Sequence, residues 1–445
     1  MEEAGQLTAS RLGDEAVELL CELVQLNTVN PPGNERPAQE LLAERLTGAG
    51  FECELLAAEP ERPNLVARLG GAADGPTLCL LGHVDTVPAD ASEWSFDPWA
   101  GDVVNGQVRG RGTQDMKDQV AAEVAAACHL AREGWRPGHG ELKLVLTADE
   151  EAGAPLGAQW LCREHIDAVR ADFVVNEGGG TAFTVDGRRI YPLCTGEKGV
   201  CRFLLRARCV AGHASVPALG DNALLKLAPA LTRLGQQPPL EPTADGLAFL
   251  SAVIGDEVEA EEVGAAMARL RELNSRAADY LADPMMRVTL VPTKVSASQK
   301  SNVIPSRAEA LIDCRVPPGD GPDEVRACVE PILGELADTV EIEFVDPVVG
   351  NSSPAQSDFA DSIAASLARI DPAATLAPIV MPGFSDSHWF RKAFPEAVVY
   401  GFSPQHELDL FTATPLIHGA DERTAVADVE LAATFFADLS SRVLA

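Results

Sequence analysis

The sequence predicts an α/β protein in two parts: a mixed, largely parallel sheet covered by helices, and a ferredoxin-like α+β module inserted into it. Three observations lead there. The first 195 residues alternate short apolar runs with helical stretches, the middle of the chain changes to a βαββαβ order, and residues 348–445 return to the first pattern. We therefore expect one domain built from 1–195 and 348–445, and a second from 196–347. A chain of 445 residues also exceeds what one ordinary core organises.

Taken in order, residues 10–50 read as helix, and Asn64–Leu69 and Thr77–Leu81 as strands. Asp118 to Glu133 is alanine-rich and helical, and Leu142–Leu146 and Phe173–Val175 are further strands. Apolar runs this continuous suit strands covered on both faces. After Gly196-Glu197-Lys198-Gly199 the pattern reads strand (200–209), helix (221–234), strands (288–297 and 305–316), helix (322–337) and strand (340–346). Residues 236–287 interrupt this module as an acidic, helical insertion. Beyond about 354 come helix, a strand at 397–402 and a terminal helix at 425–443.

Composition excludes several partners. A net charge of -32 repels phosphate backbones and anionic lipid, so no nucleic acid and no membrane surface is expected. No apolar stretch approaches the ~20 residues of a membrane span, and the start shows no signal-peptide pattern. Ten cysteines are scattered without a CxxC pair, which fits reduced, buried thiols and a cytoplasmic setting.

Chemistry concentrates in five motifs. These are His83-Val84-Asp85, the Gly110–Lys117 turn with Asp115, Asp149-Glu150-Glu151, Asn176-Glu177-Gly178-Gly179 and His418-Gly419. Three of them follow strand-like runs, and in an open α/β sheet ligands collect beyond the carboxyl ends of strands. A lone histidine there is more often a solvated loop residue, and Asp85 alone reads as a turn aspartate before Pro88. Their coincidence favours a metal site: two imidazoles and several carboxylates are the donor set of paired zinc-like ions. Asp85 lies two residues from His83, close enough to fix its tautomer, and if Glu151 ligates metal then Glu150 is free as general base.

The set HVDTVP, GRGTQDMK, TADEE, NEGG, GEKG, GHAS, NVIP and HGADER, in this order, resembles the family-20 metallopeptidases of clan MH from about residue 15 onward. That family includes aminoacylase, carboxypeptidases S and G, carnosinase-type dipeptidases, acetylornithine deacetylase and succinyl-diaminopimelate desuccinylase. The resemblance implies a zinc-exopeptidase-like catalytic domain with a lid and dimerisation domain. It implies two zinc ions, replaceable by cobalt or manganese: one on His83 and Glu177, the other on Glu151 and His418, with Asp115 bridging. A water between the ions would attack, Glu150 would be its base, and Asp85 would orient His83. Several relatives have a cis peptide after the residue matching Asp115. His213 resembles an oxyanion-stabilising histidine often lent by a partner subunit, Asn302 a substrate and oxyanion contact, and Arg315 an arginine that grips a carboxylate. Without the family, these three read as turn or surface residues. Gly383 and Ser385 match a turn that holds the same carboxylate, although Phe384 replaces a glycine.

The expected activity is hydrolysis of an amide or peptide bond next to a free carboxylate, in a small peptide or N-acyl-amino acid, by a homodimer. Asn176-Glu177-Gly178 favours the aminoacylase, carboxypeptidase S and dipeptidase branch over the acetylornithine deacetylase and succinyl-diaminopimelate desuccinylase branch, where Glu-Pro is typical. A non-catalytic binding protein on the same fold is the remote alternative, disfavoured because Glu150 and all five ligands are present. The remaining histidines, His129, His139, His165, His388 and His406, read as structural or surface residues.

Overall fold

The computed structural model describes residues 2–445, with side chains from residue 11 onward. Helices α1 (Glu2–Gln25) and α2 (Arg36–Ala49) lead into strands β1 (Glu52–Leu56), β2 (Asn64–Gly70) and β3 (Thr77–His83). Helix α3 (Lys117–Arg132) precedes β4 (Glu141–Thr147), β5 (Phe173–Asn176) and β6 (Arg188–Glu197). The middle of the chain gives β7 (Phe203–Arg208), α4 (Ala223–Leu234), α5 (Ala244–Ile254), α6 (Val263–Leu273), β8 (Thr289–Ser296), β9 (Arg307–Val316), α7 (Pro322–Leu333) and β10 (Glu341–Phe344). Helix α8 (Asp358–Ile370), strands β11 (Ala374–Met381) and β12 (Val398–Gly401) and helix α9 (Val426–Val443) complete the fold.

The large sheet runs β1-β2-β4-β3-β5-β12-β6, with β11 also on β6. The β3–β4, β3–β5, β5–β12 and β6–β11 pairs are parallel, while β2 runs antiparallel to β4. Strands β2 to β5 are almost wholly buried because helices cover both faces: α1, α2, α3, α8 and α9 on one, and a layer holding Leu161, Phe390 and Phe394 on the other. Gly401 lets β12 approach β5 closely, since a Cβ there would lie 1.9 Å from Glu177 O.

The module is a second, antiparallel sheet ordered β8-β9-β7-β10, with α4 and α7 on a core of its own. Numbered within the module, this is the 2-3-1-4 order of a ferredoxin-like βαββαβ unit.

Two expectations need correction. Residues 10–50 are not one helix: α1 ends at Gln25 and α2 begins at Arg36, because Pro31 and Pro32 lack the amide a continuous helix needs. The insertion, expected within 196–347 as part of the module, packs instead on the large sheet. Phe249, Leu250 and Val253 of α5 and Met267 and Leu270 of α6 form one core with Ile190 of β6 and Ala377, Ile379 and Val380 of β11. The acidic pattern of 236–287 shows an amphipathic face but not which sheet receives it. The buried Lys198 ammonium ties the junction together, donating to the carbonyls of Pro284 and Arg287 at 2.7 Å each.

Phe249→Ala removes a fully buried ring from the large sheet's core. Denaturant unfolding should then show a loss of about 3–5 kcal/mol.

Candidate metal centre

Each expected ligand sits where a strand ends or a loop is tied down. His83 closes β3, Glu177 follows β5, and Glu150 and Glu151 occupy a short 3-10 turn after β4. Asp115 precedes α3, and its peptide bond to Met116 is cis, as the resemblance implied. His418 stands on the late loop with φ 60°, a left-handed conformation uncommon for a residue with a Cβ.

The geometry centres on Asp115. One of its oxygens lies 3.0 Å from His83 Nε2 and the other 3.0 Å from His418 Nε2. Glu177 approaches the same His83 nitrogen at 3.7 Å, and Glu151 the same His418 nitrogen at 3.2 Å. Two ligand clusters result, His83–Asp115–Glu177 and Asp115–Glu151–His418, sharing the aspartate.

These residues fit a pair of divalent cations. Glu151 Oε1 is buried without a hydrogen-bond partner among the described residues. Burial and the charge of Glu177 push the Glu150 carboxyl well above its ordinary range, and burial and Asp115 do the same to Glu177. Burial opposes ionisation of Asp115 as well, but bonds from His418 and His83 hold it low. His418 is pushed up to about 10 by Asp115 and Glu151. Protons on the imidazoles thus stand where cations would, and acids packed this closely need positive charge.

Asp85 reaches both His83 and the turn that carries Glu150 and Glu151. His83 Nδ1 meets the backbone carbonyl of Asp85 at 3.0 Å and its carboxylate only at 3.5 Å. The shorter contact decides: a carbonyl can only accept, so Nδ1 carries the proton and Nε2 faces the acids. The Asp85 carboxylate also accepts from the amides of Glu150 and Glu151, at 3.1 and 3.2 Å, and from Asn30 at 2.9 Å. It therefore fixes the turn that carries the base and a ligand.

Three buried residues that sequence reasoning gave no role also shape this site. Asp149, at φ 67°, accepts from Asn30 at 3.0 Å, Arg62 at 2.8 Å and the Leu156 amide at 3.0 Å, holding the start of the Glu150 turn. Asp386 accepts from Thr147 at 2.6 Å while its other oxygen has no partner among the described residues. Glu422 accepts from Arg111 at 2.6 Å and from the amides of Gly112 and Gln114 at 3.0 and 2.7 Å, so the His418 loop clamps the turn bearing Asp115. The string HGADER contained Glu422, but only burial reveals the clamp.

The substrate-contact candidates are less assembled. Gly383 lines the cavity at the centre, but Ser385 is buried behind it, donating to Glu197 and accepting from Asn176. Its hydroxyl is committed to the scaffold, so direct carboxylate contact is not supported. Arg315 pairs with Asp313 at 2.9 Å and donates to the Pro382 carbonyl at 3.0 Å, at the cavity margin. His213 and Asn302 lie on neighbouring exposed segments of the module, joined by the His213–Val303 pairing and by Ala214 N donating to Asn302 O, and neither lines the cavity. His388 is buried rather than surface-exposed, against Phe384 and Trp389, and burial lowers it to about 4.

The sequence matches Peptidase family M20/M25/M40 over residues 79–442. The chain belongs to this family. Among curated relatives, a succinyl-diaminopimelate desuccinylase of Xanthobacter autotrophicus is 38% identical over 220 residues, 47% of this chain and 54% of that protein. The chain thus spans only about half the length of such relatives in these alignments. The desuccinylase of Parvibaculum lavamentivorans aligns over 95% of this chain and 94% of its own length at 27% identity. An M20 family metallo-carboxypeptidase from Sulfolobus solfataricus has a TM-score of 0.68 at 19% identity, covering 96% of this chain and 99% of that one. Human carnosine dipeptidase 1 gives 0.67 at 16%, covering 99% and 98%. These likenesses show the fold.

The clamp predicts that Glu422→Gln, which keeps shape but weakens the charged bonds to Arg111 and the two amides, lowers metal affinity about 10- to 100-fold. Competition with a chromophoric chelator reads this directly.

Proposed function

We propose that this chain is a dimetal amidohydrolase that cleaves an amide bond next to a free carboxylate, in an N-acyl-amino acid or dipeptide. The observation that carries the reading is the shared Asp115 between two three-residue ligand clusters, beside Glu150 in one cavity of ≈ 760 Å³. That volume lies within the range of small-molecule sites. We assign His83, Glu177, Asp115, Glu151 and His418 to the ions, with zinc favoured by the two imidazoles. When bound, the ions would polarise the scissile carbonyl and lower the pKa of a water.

The rest belongs to the chain. Glu150 takes the water's proton and returns it to the departing amine, held in place by the Asp85 clamp on its amide. Arg315 supplies the fork for a substrate carboxylate. The domain formed by 1–195 and 348–445, together with the 240–286 layer, carries the catalytic groups. A deacylase of the succinyl-diaminopimelate type is the second reading, favoured by the names of the curated relatives. Ten free cysteines support a reducing, cytoplasmic setting, and no helix among the described residues is long and apolar enough to cross a membrane.

The module supports a homodimer. Among the described residues strand β8 pairs only with β9, and Val291 and Val295 on it are 52% and 61% exposed. An unpaired strand edge with apolar side chains is a template for a second copy. His213, exposed on the same module, would then act in the neighbour's site.

Two outcomes test these assignments. In metal-loaded protein, Glu150→Gln keeps two bound ions per chain but lowers kcat about 10²- to 10⁴-fold; wild-type turnover with that variant removes Glu150 as the base. Sedimentation should give a dimer that Val295→Lys shifts toward monomer with loss of activity, and a fully active monomer rejects both the dimer and the borrowed His213.

A further inference from the structure

We infer that the acyl part of the substrate is an extended apolar chain, not an acetyl group and not a dicarboxylic acyl group such as succinyl. This rests on the hydrolase reading of the same cavity.

The cavity lining is of two kinds. Asp115, Asp118, Glu150, Glu151, Glu177 and His418 are its ionisable part, whereas Tyr280, Leu281, Met381, Phe384, Phe411 and Ile417 line much of the rest. No lysine or arginine is among the lining residues. A second carboxylate on the acyl chain would leave water beside five acids, with no lysine or arginine to receive it. Arg315 touches only the margin through Pro382 and is already shared with Asp313, which suits the single carboxylate of the amine part. With that carboxylate at the margin and the carbonyl beside Glu150, the acyl chain is the part left to the apolar wall.

The wall is built and open. The Phe411 ring packs 5.6 Å from buried Phe183, and Tyr280 stands edge-on to Phe411 at 6.0 Å. Tyr280 is nevertheless 63% exposed, and Ile417, beside the ligand His418, is 38% exposed. Covering such rings with a chain of methylenes removes apolar area from water on both sides. Tyr280 and Leu281 come from the π-helical turn Ala277–Ala282, so the layer that packs on the large sheet also shapes the site. Turns of this kind recur at functional sites.

The test uses metal-loaded full-length protein and one amino acid carrying acetyl, butanoyl, hexanoyl, octanoyl or succinyl groups. We expect kcat/KM to rise roughly fourfold per methylene along the straight chains, with succinyl below butanoyl. Tyr280→Asp should flatten the ladder, and Tyr280→Phe should preserve it. Calorimetric binding of the same series to metal-loaded Glu150→Gln provides a readout free of turnover, with affinity rising along the ladder. Active enzyme with a flat ladder, or with succinyl preferred, overturns the apolar-chain inference while leaving the hydrolase reading intact. Absent turnover with affinity still rising overturns the hydrolase reading and keeps the apolar site. Flat affinity overturns the inference whatever the turnover.

Discussion

Everything in the site answers to one electrostatic problem: Asp85, Asp115, Glu150, Glu151, Glu177 and Asp386 gather around two imidazoles in largely buried surroundings. Two unit charges 4 Å apart repel by about 4 kcal/mol at an effective dielectric of about 20. Several such pairs exceed a typical margin of stability, so the fold must either protonate acids or supply cations. Burial and neighbouring acids push the Glu150, Glu177 and Asp386 carboxyls upward, and Asp115 and Glu151 push His418 up to about 10. Divalent ions solve the problem without neutralising Glu150, which a general base requires.

The acids that face the centre are held by others that do not. Asp85 grips the Glu150 turn by two amides, Asp149 fixes the start of that turn through Arg62 and Asn30, and Glu422 grips the Asp115 turn through two amides and Arg111. Each anchor has its charge matched by a cation or by backbone donors, so its position does not depend on the metals. Sequence separation makes the arrangement cooperative. Asn30 joins residues 85 and 149, and Glu422 joins the last loop to residues 111–114, so three distant segments must be placed before the ligands converge.

What the sequence discloses follows from the same physics. The continuous apolar strands and the acids at their ends were readable because a parallel sheet buried on both faces leaves no other place for charged residues. The candidate ligands His83, Glu151 and Glu177 were readable for that reason, and His418 only through its motif. Asp149, Asp386 and the clamp role of Glu422 were not, since an acid in a polar string looks the same whether solvated or buried against an arginine. The break after Gln25 was marked by Pro31-Pro32, a signal stronger than the helical pattern on either side. The placement of 240–286 on the large sheet had no local mark, because an amphipathic helix records that it has a core face and not which core.

The position of His213 follows from how the module is tethered. Arg315 holds it to the Pro382 carbonyl, and Lys198 holds the junction to Pro284 and Arg287 through a buried ammonium whose loss of these carbonyls would leave it unsolvated. Swinging the module until its own His213 met the centre would strain both ties. A second copy docked on the edge of β8, as proposed, would bring in a histidine without breaking either. The exposed face of the module, with Val291 and Val295 on one strand and His213 on a neighbouring turn, therefore makes better physical sense as one half of a shared surface than as a hinge that closes on itself.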